Sequence, residues 1–142
     1  MTEVSLFRLY LLRAVYLLIG AGLLMQVWPR ILWATPGQGL MHGVVNCMLG
    51  ALCGFALLGI RYPLRMLPLL LWELAWKALW LLTIALPQWR AGTMDEDMAA
   101  TAFACLVGVV VPLALPWRYL VERYVRAPGD RWRKVPAPDR VQ

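Results

Sequence analysis

Histidine and lysine are nearly missing from this sequence: His42 is its one imidazole, and Lys77 and Lys134 are its two lysines. The three cysteines, Cys47, Cys53 and Cys105, all lie inside apolar runs, and an odd number of thiols so placed is poor material for a disulfide framework. A zinc site of the usual Cys/His kind needs ligand spacings that are not there, so no metal is expected. There is no glycine-rich phosphate loop, nucleophile elbow or HExxH pair, so no catalytic residue and no cofactor is implied. Acidic residues are also scarce, 8 against 14 basic, for a formal net charge of +6. Nucleic acid is not the expected partner, because the basic residues sit at the ends of apolar stretches and do not line one soluble face.

What fills the space is apolar. Of the 142 residues 61% are hydrophobic, and the mean hydropathy is +0.62, more than a soluble domain of this size can hide. Four uninterrupted apolar runs, at residues 9–28, 40–60, 64–86 and 98–117, each have the length needed to cross a hydrocarbon core of roughly 30 Å as a helix. The first ends in Pro29-Arg30 with no small-x-small cleavage site, which reads as an uncleaved anchor. Breaks fall at the Pro-Gly chemistry of 29–39, the Arg61-Tyr62-Pro63 hairpin and the acidic stretch 87–97. The expected fold is all-α, an integral membrane up-down antiparallel bundle of four transmembrane helices forming one domain over residues 1–126.

Charge sets the expected direction, since basic residues resist translocation. Arg8, Arg13, Arg61, Arg65, Arg118, Arg123, Arg126, Arg131, Arg133, Lys134 and Arg140 fall on one side, against Arg30 and Arg90 on the other. Both termini are therefore expected in the cytoplasm, and the preference for arginine over lysine looks like that of a high-GC bacterial genome, which makes a bacterial inner membrane the expected location. Trp28, Trp33, Trp89 and Trp117 fall where interfacial anchors belong. Residues 118–126 continue in helical pattern, with Arg118, Glu122 and Arg126 spaced for a charge ladder and a basic face suited to anionic lipid. The tail 127–142, with Pro128, Pro136 and Pro138, is expected to be disordered.

Several polar residues lie inside these runs. Glu73 and Lys77 are one helical turn apart in the third run, where an ionisable group costs about 2.5–3.5 kcal/mol. They read either as a self-neutralising pair or as a site for a polar substrate, a proton or a partner subunit. Arg13 lies at a similar depth, and either snorkels to the cytoplasmic side or bridges to Glu73. Trp72, Trp76 and Trp80 form an aromatic stripe on the same helix, read as packing or as an aromatic wall beside the Lys77 cation. In the second run Gly50 and Gly54 make a GxxxG pair, with Gly43 further back, a close-packing face. His42 and Asn46 are positioned to hydrogen-bond across to Gln26, as interhelical glue or as the lining of an outward vestibule. Pro112 after Gly108, and Pro68, are expected to kink or loosen their helices.

Two stretches carry a family resemblance: Arg13-Ala-Val-Tyr-Leu-Leu-Ile-Gly-Ala-Gly22, and Asn46-Cys-Met-Leu-Gly-Ala-Leu-Cys-Gly54 running into the basic hairpin at Arg61 to Arg65. Over roughly the first half of the chain this resembles DoxX-like small four-helix bacterial membrane proteins in length, topology and a glycine-rich second helix. That resemblance implies membrane redox or accessory-subunit roles. The residues themselves favour a non-catalytic subunit that binds a partner or an apolar ligand, as a homo-oligomer or beside another membrane protein. A transporter or proton-coupled channel built on Glu73 and Lys77 is the alternative. An enzyme of the membrane interface comes third, for want of a second catalytic group.

Overall fold

A computed structural model describes residues 3–34 and 36–131, and among these the chain is all-helical. The first helix, α1 (Leu6–Gln26), is capped by Ser5, whose hydroxyl accepts from the Arg8 N–H at 3.3 Å. At Val27 it passes directly into α2 (Trp28–Leu32). The break expected at Pro29 therefore falls later. Pro29 occupies the first turn of α2, where a missing N–H forfeits no helical hydrogen bond.

The second run folds as expected into α3 (Leu40–Arg61). The third starts later and ends later than its apolar run, because Pro68 and Pro87 both stand in first turns. Pro68 opens α4 (Leu67–Trp80) and does not kink it. A π-helical turn (Leu81–Ala85) then leads into α5 (Leu86–Ala91). The turn widens there because the Pro87 ring would press on the Thr83 carbonyl in an α-turn; instead Leu86 N–H bonds the Leu81 carbonyl. Gly92, at φ 68°, closes α5 in a left-handed conformation that glycine adopts without strain.

Asp95 caps α6 (Glu96–Val107) by accepting from the Met98 N–H at 2.8 Å. The helix breaks at Gly108–Val109, just where Pro112 withholds the N–H that would bond the Gly108 carbonyl, and resumes as α7 (Val110–Ala114). A second break at Leu115–Pro116 precedes α8 (Trp117–Leu120) and another π-helical turn (Val121–Arg126). Residues 118–126 are helical, but they do not extend the fourth helix: Leu115 is extended, with ψ 131°, and Pro116 cannot continue the ladder. Residues 127–131 have no regular structure, and the rest of the tail, 132–142, lies outside the described residues. Four helical stretches are long and apolar enough to cross a membrane: Leu6–Leu32, Leu40–Arg61, Leu67–Ala91 and Glu96–Ala114.

The core gathers around α1. Leu12, Val15 and Tyr16 are buried against Leu67 and Leu70 of α4 and against Val111, Ala114, Leu115 and Leu120. Close approach of α1 to α3 depends on small residues: the Tyr16 ring lies over Gly59, Leu57 over Gly20, and the Cys53 thiol donates to the Gly20 carbonyl at 3.2 Å. Polar groups of α1 also tie down the ends of other helices. Arg8 Nη1 donates to the Leu115 carbonyl at 2.8 Å, Arg13 Nε to Ile60 at 3.1 Å, and the Tyr16 hydroxyl to Pro63 at 2.9 Å. The Leu115 carbonyl belongs to the break after α7, so Arg8→Ala removes a charge-assisted bond worth about 1.5–3 kcal/mol at that joint. Amide exchange across 115–126 should quicken in this variant; unchanged protection there would show the joint to be held by other contacts.

Candidate functional site

The site is built where α4 faces the broken fourth helix. Glu73 and Lys77, at i and i+4, share one face of α4, and Lys77 Nζ lies 2.6 Å from Glu73 Oε2. Glu73 is only 2% exposed, the one charged residue in the core among those described. The contact is electrostatic; its angles are not those of a directed hydrogen bond. Attraction in a medium of low polarity holds the pair, because separating its members there would strand a charge.

The Lys77 side chain crosses to the fourth helix and lies over Gly108. A Cβ at Gly108 would stand 3.2 Å from Lys77 Cδ and 3.6 Å from Nζ, so the bare glycine makes the slot through which the lysine passes. The ammonium thereby reaches the C-terminal end of α6, where the helix dipole favours a cation. The buried Cys105 thiol lies within electrostatic reach of both Lys77 and Glu73. Across the ammonium, the Trp76 ring centre is 5.4 Å from Nζ, a cation–π distance. The Trp76 indole N–H is buried with no acceptor.

The aromatic stripe divides on folding. Trp76 meets the charged pair, Trp72 turns outward at 42% exposure, and Trp80 is half-buried. Arg13 does not reach Glu73: its guanidinium caps the end of α3 and lies 5.4 Å from the Tyr10 ring centre. Its partner is thus a carbonyl, which accepts the guanidinium without requiring a second buried charge. His42 and Asn46 share a shallow cleft with Arg30, Gln38 and Gly39, whereas Gln26 is exposed and lies outside the lining of that cleft. No hydrogen bond joins His42, Asn46 and Gln26. The glycine pair is also split. Gly50 is filled by Ile31 of α2, whose methyl would lie 2.7 Å from an added Cβ, while Gly43 and Gly54 have nothing within 4 Å.

Beyond the charged pair, towards the loop at Gly92, an apolar groove of about 760 Å³ opens between the third and fourth long helices. Ala78, Leu81, Leu82 and Trp89 line one wall, and Ala102 and Leu106 the other. Gly108 and Cys105 were not singled out as site residues by sequence reasoning. Gly108 registered as a companion of Pro112, and nothing local to Cys105 signals that it lies beside Lys77. The described residues contain no group of three or more His, Cys, Asp or Glu arranged to hold a metal ion. No family model, curated protein or solved structure matches the chain.

Proposed function

We propose that this is a four-pass integral membrane protein that binds an apolar ligand in the groove between its third and fourth long helices, without catalysing a reaction on it. The groove carries the reading. It is almost wholly apolar, contains no acid–base pair along its walls, and lies between helices that expose further apolar side chains. Phe7, Leu40 and Phe103 are 77%, 79% and 69% exposed, surfaces that lipid accepts and water does not.

The bundle runs up-down and antiparallel, with both termini on the cytoplasmic side of a bacterial inner membrane. Support comes from the ties of α1, which bring the start of the first long helix to the end of the second, the start of the third and the end of the fourth. Arg8, Arg13, Arg61, Arg65 and Arg118 gather at that end, as cytoplasmic arginines do, and offer anionic lipid a basic surface. Gly43 and Gly54, open on the outside of α3, give a second copy or another membrane subunit a place for close helix contact. An accessory-subunit role of this kind is also what the DoxX-like resemblance implies. Transport through Glu73 and Lys77 has less support, since it needs a water path to a carboxylate that is 2% exposed and already paired.

Solvent extraction of the protein purified in lipid nanodiscs, followed by mass spectrometry, tests the reading. Wild type should retain an apolar molecule in stoichiometric amount, and Ala102→Trp, which fills the groove, should lose it while keeping its helical circular dichroism. Equal extracts from both proteins would sink the proposal.

A further inference from the structure

Resting on the membrane-spanning reading but not on the groove, we infer that the cleft between α2 and the start of α3 binds a phosphate group, that of a phospholipid headgroup or of free phosphate, through Arg30, Gln38, His42 and Asn46. Place is the first argument. The cleft, of about 310 Å³, is lined by these four side chains and by Gly39, and shares no residue with the groove. His42 and Asn46 stand at i and i+4 on one face of α3. Packing of α2 on that helix, with Ile31 over Gly50, sets Arg30 beside them. Around this polar patch α3 exposes Met41, Val45 and Met48. Donors set into an apolar surface near one end of a spanning helix lie where headgroups meet acyl chains.

Unspent charge is the second argument. No carboxylate lines the cleft, and none of the four side chains has a hydrogen-bond or ion-pair partner among the described residues. Arg30 is thus an uncompensated guanidinium at the end of α3 opposite Arg61. Its planar fork can bond two phosphate oxygens at once. Gln38, from the connecting loop, and His42 and Asn46, from α3, add donors for the remaining oxygens. An oxyanion with several acceptor oxygens suits donors that converge from three segments of the chain. The field of α3 acts in the same sense: the positive end of this 22-residue helix borders the cleft, and its Gly39 cap has no side chain to bond the first-turn N–H groups.

His42 is the sole histidine, so protein made with isotope-labelled histidine gives a single imidazole resonance, and that resonance reports on the cleft. Full-length protein, purified without a histidine tag in dodecyl maltoside, is titrated at constant pH and ionic strength with four probes. These are dihexanoyl phosphatidylglycerol, its chain-free headgroup glycerophosphoglycerol, inorganic phosphate, and dihexanoylglycerol as the uncharged control. The resonance should shift saturably with phosphate-bearing probes and not with dihexanoylglycerol. Arg30→Gln should weaken that binding about tenfold, the loss of a charge-assisted bond. Arg90→Gln, which removes the same charge outside the cleft, should leave it unchanged. Tighter binding of phosphatidylglycerol than of the chain-free probes would identify a lipid as the source of the phosphate, and equal binding of all three would identify free phosphate. No saturable shift with any phosphate probe, an equal shift with dihexanoylglycerol, or equal affinities in Arg30→Gln and Arg90→Gln would overturn the inference. Such a failure would leave the solvent extract of the groove as it was, so the two sites stand or fall separately.

Discussion

Lys77→Met is expected to destabilise the protein by about 3–5 kcal/mol, because it strands the buried Glu73 carboxylate without a counter-charge. The loss does not measure the worth of the ion pair. Removing both charges is a different experiment, and the combination of Lys77→Met with Glu73→Gln should recover most of the stability, since the neutral amide imposes a much smaller desolvation penalty. Unfolding in mixed micelles, followed by circular dichroism, reads the three proteins on one scale. If Lys77→Met alone proves as stable as wild type, the buried Glu73 does not depend on Lys77 for its counter-charge. Recovery in the double variant would also show that the charges are not required for folding, and so separate their structural part from any part in ligand recognition.

Gly59→Val should be the next most damaging change, at about 1–3 kcal/mol or somewhat more. An added Cβ there stands 2.5 Å from Tyr16 Cδ1 and 2.6 Å from Cε1, and Tyr16 is 0% exposed. The ring cannot swing aside cheaply, because its hydroxyl is held by the Pro63 carbonyl at 2.9 Å. Tyr16→Phe, which frees the ring of that tether, should by itself lose only about 1 kcal/mol. Combined with Gly59→Val it should soften the clash, giving less than the sum of the two losses. Strict additivity in the same unfolding assay would mean that the tether plays no part in fixing the ring.

The number and approximate place of the long helices were legible from apolar run length alone, because apolar helices of that length leave a long uninterrupted signal. Their ends were not. Pro29, Pro68 and Pro87 each looked like punctuation, yet each stands in the first turn of a helical stretch, where proline is tolerated. The Glu73–Lys77 contact was legible, since spacing within one helix decides it. Contacts between helices were not: the Ile60 carbonyl as partner of Arg13, the slot at Gly108 and the nearness of Cys105 all depend on rotation and approach of separate helices. The GxxxG pair illustrates the same limit. Spacing put Gly50 and Gly54 together, but folding turned Gly50 towards Ile31 and left Gly54 outside.

The ties made by α1 also govern when the molecule can be finished. Arg13 and Tyr16 find carbonyls 47 residues downstream, and Arg8 one that lies 107 residues away. On the ribosome the first helix is therefore complete long before its acceptors exist. Its guanidinium and phenol groups must find other partners until the later segments arrive, and only residue 115 closes the last of these bonds.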